Sequence, residues 1–306
     1  MNFLITIFAK IKKAALACGR AIAALPKAVA ISVTVCAVLV LLVVIITYFQ
    51  QQSLSVTYYE LEEEKIENPV RIVFISDLHM REFGAGNSRL IEKIKEQAPD
   101  IIAVGGDFCN KTEEYYGTAI EILPKLMQIA PTYYTLGNHE LTHQNSAQMV
   151  ADIAATGVNL LNNQTEEILV NGNKIAVCGL NMFTHVDDGF KDDNYDDFMS
   201  FMKDFAAYDS YRLLLCHFPH YSSWYFEKDK FSFDFELMIS GHTHGGEIIL
   251  PFAGGLFAPE QGFFPKYDYG LFNVKNYKMI VSRGLGDSHY MRRVNNPPEI
   301  VVVDLK

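Results

Sequence analysis

The sequence predicts an α/β domain that follows one transmembrane helix. Three features predict it: an uncharged stretch at residues 28–49, an alternation of short apolar runs with amphipathic stretches after it, and a β-rich second half. The 306 residues are 49% hydrophobic and 20% charged, which is the balance of an ordinary folded protein. This composition excludes wholesale disorder, collagen-like repetition and a small disulfide-stapled domain.

Residues 28–49 are predicted to form an uncleaved transmembrane signal anchor. At 1.5 Å per residue, the segment spans the roughly 30 Å hydrocarbon layer of a bilayer. A cleaved signal peptide is the alternative, but the apolar core exceeds the usual length of about 7 to 15 residues and no A-x-A-like site follows it. Every basic residue of segment 1–59 precedes or borders the span, so the positive-inside rule predicts a cytoplasmic N-terminus and an extracytoplasmic remainder.

The remaining boundaries follow from charge and composition. Residues 1–27 form a basic cytoplasmic leader, either an amphipathic helix on the inner leaflet or an unstructured segment, and both interpretations stay open. Residues 50–69 are predicted to be a polar linker, and residues 70–306 the folded domain. From residue 60 onward the chain carries 21 Lys and Arg against 36 Asp and Glu. This excess of acid argues against nucleic acid as a bulk partner.

The elements of the domain follow in order. Apolar runs within RIVFISD, DIIAVGGD and TYYTLGN alternate with amphipathic stretches, NSRLIEKIKEQ and TEEYYGTAIEILPKLMQ, which predicts βαβ units and a largely parallel sheet. Asn171-Gly172 between two β-rich runs predicts a hairpin. A helix near Tyr195 to Ala207 and further strands at RLLLC, ELMIS, NYKMIVSRGLG and PEIVVVDL complete one domain long enough for two sheets.

Several chemistries have no support in the sequence. The five cysteines are scattered without C-x-x-C spacing, which predicts free buried thiols rather than disulfides or a zinc knuckle. No G-x-x-x-x-G-K-[ST] motif and no G-x-S-x-G motif occur, so P-loop nucleotide chemistry and a serine hydrolase are both disfavoured.

Polar residues follow the apolar runs at five predicted strand ends, where open α/β sheets collect their ligands. Oxygen and imidazole donors without thiolate suit Mn²⁺, Fe²⁺ or Zn²⁺. Two pairs, Asp77/His79 and His242/His244, are expected to be extended, so that residues two apart point to the same side. The five motifs are Ser76-Asp77-Leu78-His79, Gly105-Gly106-Asp107, Gly137-Asn138-His139-Glu140, Cys216-His217 and Gly241-His242-Thr243-His244-Gly245-Gly246.

This series resembles the calcineurin-like metallophosphoesterases, whose pattern is D-x-H, G-D, G-N-H, H and G-H-x-H in the same order. The resemblance runs from about Arg71 to Leu305 and implies a four-layer α/β/β/α sandwich. GHTHGGE, Leu250-Pro251 and the closing GLG…R…NNPPEI are similar to the membrane-anchored bacterial branch related to UDP-2,3-diacylglucosamine hydrolases. Glu247 departs from the Gln expected in GHTHGGQ, which leaves the substrate side in question.

The resemblance implies two divalent ions, either Mn, Fe or Zn, held roughly 3.5 to 4 Å apart. One ion would take Asp77, His79, Asp107 and His244, and the other Asp107, Asn138, His217 and His242, so that Asp107 is shared through its two oxygens. A metal-bridging hydroxide would attack phosphorus, and His139 would protonate or stabilise the leaving oxygen. Arg293 occupies the family's arginine position and is predicted to bind substrate. His220 either contacts substrate or belongs to a Pro219-His220 turn.

The predicted function is therefore a membrane-anchored, dinuclear phosphohydrolase, with a phosphodiesterase favoured. Its substrate is a phosphoester or pyrophosphate, either lipid-linked or in the cell envelope, with a soluble nucleotide or phosphomonoester as alternatives. A tethered cell-envelope binding protein with weak activity on the same fold is the competing hypothesis. The sequence leaves open the native metal, the oligomeric state and trimming of the anchor. It also leaves open whether the acidic run of residues 187–197 binds calcium or is a solvated loop. The aromatic stretch from Trp224 to Phe235, with Phe252, Phe257, Phe263 and Phe264, forms either a lid or acyl-chain groove or part of the ordinary core.

Overall fold

The computed structural model describes residues 25–181, 195–226, 233–288 and 292–306, with residues 10, 12–13, 16–17 and 19–20 of the leader. The chain divides into two units, residues 1–49 and residues 50–306. Helix α1 (Lys27–Gln52) contains 26 residues, none of them buried, and is long and apolar enough to cross a membrane. It contains the predicted anchor, residues 28–49. The described residues of the leader up to residue 20 are helical and exposed, and Leu25 and Pro26 are exposed but not helical.

The second unit contains two six-stranded sheets. The first has the strand order β1 (Ser55–Leu61), β16 (Glu299–Leu305), β2 (Val70–Ile75), β3 (Ile101–Val104), β4 (Thr132–Tyr134) and β5 (Asn159–Leu160). The second has the order β14 (Gly270–Val274), β15 (Tyr277–Val281), β9 (Leu237–Ser240), β8 (Tyr211–Cys216), β7 (Asn173–Leu180) and β6 (Gln164–Val170).

Most neighbouring strands are parallel, as the alternating pattern predicts. Strands β2 to β5 are parallel in the first sheet, and β7, β8, β9 and β15 are parallel in the second. Antiparallel pairs occur where β16 joins β2 and at the two hairpins, β6–β7 and β14–β15. The remaining strands form two short hairpins, β10 (Ile249–Leu250) with β11 (Gly254–Gly255) and β12 (Phe257–Ala258) with β13 (Gly262–Phe263).

Within the described part of the second unit, six helices connect these strands. They are α2 (Ser88–Lys95), α3 (Gly117–Ile120), α4 (Leu123–Met127), α5 (Asn138–Leu141), α6 (Ser146–Ala155) and α7 (Tyr195–Ala206). Short 3₁₀ turns lie at Ala85–Asn87 and His244–Gly246, and a π-helical turn lies at Ser222–Phe226.

Alternating side chains divide the core into three layers of apolar packing. Ile72 and Phe74 of β2 join a cluster with Leu213 and Leu215 of β8, so the two sheets pack face to face. The opposite faces are covered by helices. Leu90 and Ile94, four residues apart on α2, pack on the first sheet, and side chains from α7, including Phe205, pack on the second. The four-layer α/β/β/α prediction is therefore confirmed.

Two local expectations differ from the structure. The segment predicted as a linker contains β1, an edge strand that pairs in parallel with β16. The stretch predicted as one long helix forms two short ones, α3 and α4. Pro124 explains the break, because its ring clashes with the carbonyl four residues earlier and it has no N–H to donate. That earlier residue is Ile120, the last residue of α3.

The predicted hairpin at Asn171-Gly172 is confirmed. Strands β6 and β7 pair in antiparallel register up to Val170 and Asn173, which leaves a two-residue turn. Asn171 has φ 50° and Gly172 φ 87°. Two positive φ values are what a type I′ turn requires, and Asn-Gly is the sequence that adopts it most readily.

Candidate metal centre

The candidate site lies where strands of both sheets end. Strands β2, β3 and β4 of the first sheet and β8 and β9 of the second run into the five polar motifs. The loops after them approach closely. A Cβ atom added to Gly137 would lie 2.2 Å from Oδ1 of Asp107, so the loops after β3 and β4 meet at a distance that only glycine allows.

The ligand-bearing loops have strained backbone. Asp77, His79, Asp107, His242 and His244 all have φ between 46° and 71°, in the left-handed region that L-residues rarely occupy. The expectation that Asp77/His79 and His242/His244 are extended pairs is therefore wrong. Their side chains converge because each chain turns sharply after its strand. Such strained residues cluster at functional sites, at a cost of about 1–3 kcal/mol each.

One group of donor atoms consists of Asp77, His79 and His244. Nε2 of His244 lies 3.8 Å from Oδ1 of Asp77, and the two imidazole rings are 4.9 Å apart between centroids. Asp77 is held in place by the backbone N–H of His242, which donates to its carboxylate at 3.0 Å. All three side chains are buried.

A second group consists of Asp107, Asn138, His217 and His242. Nε2 of His217 lies 3.1 Å from Oδ2 of Asp107 and 3.2 Å from Nδ1 of His242. Oδ1 of Asn138 lies 2.9 Å from the same Nδ1. Four donors at about 2.1 Å from one small cation would be about 3.4 Å apart, so these separations suit a divalent ion.

Asp107 joins the two groups through one oxygen. Oδ2 lies 3.8 Å from Nε2 of His79 as well as 3.1 Å from Nε2 of His217. Oδ1 instead accepts the backbone N–H of His139 at 2.8 Å. The sequence led us to expect that both oxygens would serve the two groups, but only Oδ2 faces both of them.

The electrostatics of the centre favour cations. Burial raises the pKa of Asp107, but the charge and hydrogen bond of His217, with smaller effects of His139 and His79, hold it well below its usual value. Burial lowers the pKa of His217, but Asp107 and Asp77 raise it to about 10. In the absence of a metal, a proton shared by His217 and Asp107 therefore occupies a place that a divalent cation can take.

The outer nitrogen of each imidazole is directed to a protein group. Nδ1 of His79 lies 2.9 Å from Oδ1 of Asn110, and Nδ1 of His217 lies 2.6 Å from the carbonyl oxygen of Gly105. Nε2 of His79 is buried and has no hydrogen-bond partner among the described residues. An unpartnered ring nitrogen that faces two carboxylates and other imidazoles has the surroundings of a metal ligand.

Residues 70–246 match the family of calcineurin-like phosphoesterases. This is more than half of the chain. The chain belongs to that family. Calcineurin-like phosphoesterases are hydrolases of phosphoric esters that use divalent metals, and the clustered donors of this chain are the ligand types that such metals need.

Named relatives agree with the family. An uncharacterized metallophosphoesterase of Campylobacter jejuni is 30% identical over 81% of this chain and 62% of its own length, so this chain spans less than two thirds of that relative. Phosphodiesterase YaeI of Escherichia coli is 28% identical over 78% of this chain and 82% of its own. Among solved structures, a 5′-nucleotidase precursor from Thermus thermophilus aligns with a TM-score of 0.46 and 14% identity, over 72% of this chain and 50% of that one.

The named relatives do not identify the branch of the calcineurin-like family to which this chain belongs. None of the relatives named above is a UDP-2,3-diacylglucosamine hydrolase, so membership of that branch stays a prediction. The family match itself ends at Gly246, before the departure at Glu247.

His139, the predicted catalytic residue, lies next to Asp107. Its Nδ1 accepts the backbone N–H of Lys111 at 3.1 Å, and its Nε2 lies 4.0 Å from Oδ2 of Asp107. Because a neutral imidazole carries one proton, a hydrogen bond accepted at Nδ1 places that proton on Nε2. The proton-bearing nitrogen therefore faces the centre.

The two predicted substrate-binding residues lie at the edge of the centre. His220 is 3% exposed and belongs to the predicted turn, since the N–H of Ser222 bonds to the carbonyl of Pro219. Its ring lies 4.3 Å from that of Trp224, and burial, with the charges of His242 and His217, lowers its pKa to about 2. It is therefore a neutral side chain at neutral pH.

Arg293 is fully buried behind His244. Its guanidinium donates to the carbonyl of Gly286 at 2.7 Å, and one nitrogen lies 3.2 Å from Nδ1 of His244. This position fits support of a ligand-bearing loop better than contact with substrate. Substrate binding by Arg293 and by His220 stays a prediction.

Glu247 is also buried. Its carboxylate interacts with the side chain of Ser288 and with the charge of Arg293. Burial raises its pKa to about 7, although Ser288 and Arg293 lower it. Glu247 is therefore a buried carboxyl group three residues after His244.

Glu140 is a functional residue to which the sequence assigned no role. Its fully buried carboxylate accepts backbone N–H groups from Asp107, Phe108 and Cys109 at 2.8–3.2 Å, and from Gly137 at 3.0 Å. It ties the loop after β3 to the turn after β4. A Glu three residues after the start of a helical turn is a capping signal, but its contact with residues about thirty positions earlier has no local signature.

The remaining sequence features have mixed outcomes. Cys109, Cys178 and Cys216 are free and buried, as predicted, and Cys36 is exposed. The aromatic stretch divides: Phe226, Phe233 and Phe235 pack in the core, whereas three others are exposed, Phe252, Phe263 and Phe264. Most of the acidic run, including Asp187, Asp188, Asp192 and Asp193, lies outside the described residues.

Proposed function

We propose that this chain is a membrane-anchored phosphodiesterase that binds two divalent ions. The observation that carries the proposal is the convergence of seven side chains from both sheets into two donor groups that share Oδ2 of Asp107. One ion would be held by Asp77, His79, Asp107 and His244. The other would be held by Asp107, Asn138, His217 and His242.

The donor set fits Mn²⁺, Fe²⁺ or Zn²⁺, because it combines imidazole, carboxylate and amide oxygen without thiolate. When bound, such ions supply a water of lowered pKa as the nucleophile and neutralise charge on the phosphoryl oxygens. The protein contributes ligands fixed by backbone bonds. The N–H of His242 orients Asp77, and the N–H of His139 orients Asp107.

His139 is proposed to hold the proton that the leaving oxygen needs. The accepted hydrogen bond at Nδ1 places the proton on Nε2, and this atom faces Asp107 rather than bulk protein. A positioned acid of this kind commonly contributes about 10²- to 10⁴-fold to a rate. The ring remains partly exposed, with 12% of its side chain accessible, so a substrate oxygen can reach it.

A lipid-linked or envelope phosphodiester is the substrate class we propose. Support comes from α1, which is long and apolar enough to anchor the chain, and from Phe252, Phe263 and Phe264, which are 61–109% exposed. These three residues lie in or beside the hairpins that follow the G-H-x-H motif. We propose that they form one interaction surface, which apolar acyl chains would match.

The proposed orientation places the N-terminus in the cytoplasm and the catalytic domain outside. The support is the charge asymmetry, since all five basic residues of segment 1–59 lie at or before position 27. A binding protein with weak activity on the same fold remains the competing hypothesis. A set of seven metal-type ligands, six of them buried, with a proton-bearing imidazole beside it favours the enzyme, because binding alone does not require them.

Activity of the full chain in detergent tests the proposal. After loading with Mn²⁺, we expect hydrolysis of bis(p-nitrophenyl) phosphate at a higher kcat/KM than p-nitrophenyl phosphate, and loss of activity in EDTA. Absence of turnover on both compounds, with metal bound, would support the binding protein. A preference for the monoester would overturn the phosphodiesterase assignment and keep the reaction class.

A further inference from the structure

The hairpin formed by β12 and β13 reaches back to the candidate metal centre. Glu260 lies at its tip, in the three-residue connection between Ala258 and Gly262. Its Oε2 lies 2.5 Å from Nε2 of His242. Glu260 belongs to none of the five strand-end motifs, and its side chain is 45% exposed whereas that of His242 is 4% exposed. The contact therefore joins a surface hairpin to a buried ligand.

The two ring nitrogens of His242 face different surroundings. Nδ1 lies 2.9 Å from Oδ1 of Asn138 and 3.2 Å from Nε2 of His217, which places it in the second donor group. Nε2 faces the carboxylate of Glu260. A carboxylate only accepts hydrogen bonds, so the proton lies on Nε2 and the lone pair of Nδ1 is left for the ion.

We propose that Glu260 is a positioning residue for His242, and that it strengthens binding of one of the two ions selectively. It would fix both the tautomer and the rotation of the imidazole, as outer carboxylates do for histidines in metal sites. The inference rests on the proposed function, because it assumes that His242 is a ligand. It adds a residue from a segment beyond the family match, which ends at Gly246.

The hairpin is built to hold Glu260 in this place. Glu260 itself has φ 57°, an unfavourable conformation for a side chain of its kind. The side-chain amide of the next residue, Gln261, donates through Nε2 to the carbonyl of Tyr267 at 2.8 Å. Its Oε1 accepts the backbone N–H of Tyr267 at 3.0 Å. The N–H of Phe264 also bonds to the carbonyl of Leu256 at 2.9 Å. These bonds close the loop on both sides of the carboxylate.

The same loop is fastened to the turn that carries His242. The N–H of Leu256 donates to the carbonyl of Gly246 at 3.0 Å, and the hydroxyl of Thr243 donates to the carbonyl of Asp268 at 2.6 Å. A Cβ on Gly246 would lie 2.4 Å from Cα of Gly255, so the glycine permits this contact between backbones. Glu260 and His242 therefore belong to one packed unit.

The expected effect on one ion only follows from a comparison of His242 with the other three histidines. The outer nitrogens of His79 and His217 face uncharged acceptors, the side chain of Asn110 and the carbonyl of Gly105. Nδ1 of His244 faces Arg293. Among these four residues, His242 is the one whose outer nitrogen meets a carboxylate. Removal of Glu260 should therefore affect the ion held by His242 and leave the ion of the Asp77, His79 and His244 group bound.

Calorimetric titration of the metal-free full chain in detergent with Mn²⁺ tests this inference. We expect two binding steps in the wild type. In Glu260→Ala, one step should weaken by about 10- to 100-fold and the other should stay unchanged. The weakened step should be the one missing in His242→Ala. Glu260→Gln, which keeps an acceptor oxygen without the charge, should give an intermediate affinity.

Two controls make the result decisive. Glu121→Ala removes an exposed carboxylate elsewhere and should leave both steps as in the wild type. Thermal unfolding of each variant shows whether the hairpin still folds. Equal affinities in Glu260→Ala and the wild type would overturn the inference, and so would equal weakening of both steps, which indicates a structural role. A wild type without two binding steps would instead overturn the proposed function and this inference with it.

Discussion

Asp107 is the residue on which the two donor groups depend. Its Oδ2 faces both groups, and its backbone adopts φ 53°. Asn tolerates this left-handed conformation better than most residues, and its side-chain oxygen can still accept the N–H of His139. Replacement of Asp107 by Asn does, however, remove the negative charge that the two ions need. Asp107→Asn therefore separates the electrostatic role of this position from its place in the fold.

We expect Asp107→Asn to lose both ions and at least about 10²-fold in kcat, while the metal-free protein stays folded with a stability lowered by loss of the contact between Asp107 and His217. Elemental analysis after gel filtration, together with a diesterase assay, measures both effects. A variant that keeps two ions per chain would contradict the shared-carboxylate proposal.

His139 gives a different expectation, because it supplies a proton rather than a ligand. His139→Gln should lower kcat by about 10²- to 10⁴-fold on substrates with alkyl leaving groups, with the metal content unchanged. The loss should be much smaller on bis(p-nitrophenyl) phosphate, whose leaving group departs as an anion without a proton. Equal losses on both kinds of substrate would exclude a proton-donor role.

Glu247 predicts a pH dependence of stability. Its pKa is raised from 4.5 to about 7 in the folded protein, so the unfolded chain binds fewer protons between these values. The stability that the protonated form provides is complete below about pH 4.5 and is lost as the pH rises through 7. Glu247→Gln removes this loss, which is on the order of 2–3 kcal/mol.

Thermal unfolding of the metal-free proteins at pH 5 and pH 8 measures this difference. We expect the wild type to lose more stability than Glu247→Gln between the two pH values, since other titrating groups are common to both. Parallel curves would show that the carboxylate is not perturbed by burial.

The sequence was sufficient to predict seven candidate ligands and His139, because these residues follow apolar strands in the order that the family resemblance implies, and the fold brings them together. It was insufficient for Glu140 and Glu260. Glu140 bonds to residues 31–33 positions earlier, and Glu260 meets His242 only after a hairpin closes between them. Long-range contacts of this kind leave no periodicity or spacing in the chain.

Among the elements, the loops after β3 and β4 act together through Glu140. The hydroxyl of Tyr134, on β4, adds a fifth hydrogen bond to its carboxylate at 3.0 Å. Burial and the charge of Asp107 raise the pKa of Glu140, and backbone N–H groups lower it. A glutamine in its place would direct its own N–H donors at the backbone N–H groups that now donate to the carboxylate. The candidate ligands Asp107 and Asn138 are thus positioned by one buried anion.

Glu140→Gln is expected to destabilise the protein by about 2–3 kcal/mol and to weaken binding of both ions. Tyr134→Phe is the matched control. It removes one hydrogen bond and should cost about 1 kcal/mol with normal metal content. Urea unfolding and metal analysis test the pair. Full stability and two bound ions in Glu140→Gln would contradict the role of this residue.

The prediction of elements succeeded where a pattern was local. The strands that precede the motifs are apolar runs, and Asn171-Gly172 turns as expected. β1 was missed because SVTYYEL lies in a polar stretch, and its pairing partner, β16, is more than two hundred residues away. The break between α3 and α4 follows from Pro124, which the long amphipathic pattern concealed.

At the scale of the whole molecule, α1 is the feature from which we propose a membrane location. None of its residues is buried, and a bilayer would cover its apolar surface. We expect the full chain to resist carbonate extraction from membranes and a chain lacking residues 1–49 to be released.

Added protease should degrade the domain in spheroplasts, which have lost the outer barriers. A domain that stays protected there would contradict the proposed orientation.

The spectrum of bound manganese tests the dinuclear centre itself. Two ions that share Oδ2 of Asp107 are close enough for their electron spins to couple. We therefore predict two Mn²⁺ per chain and an exchange-coupled EPR spectrum for the full protein in detergent, with loss of coupling in Asp107→Asn. A six-line spectrum from one isolated Mn²⁺, or no bound manganese, would contradict the proposal that these seven residues bind a pair of ions.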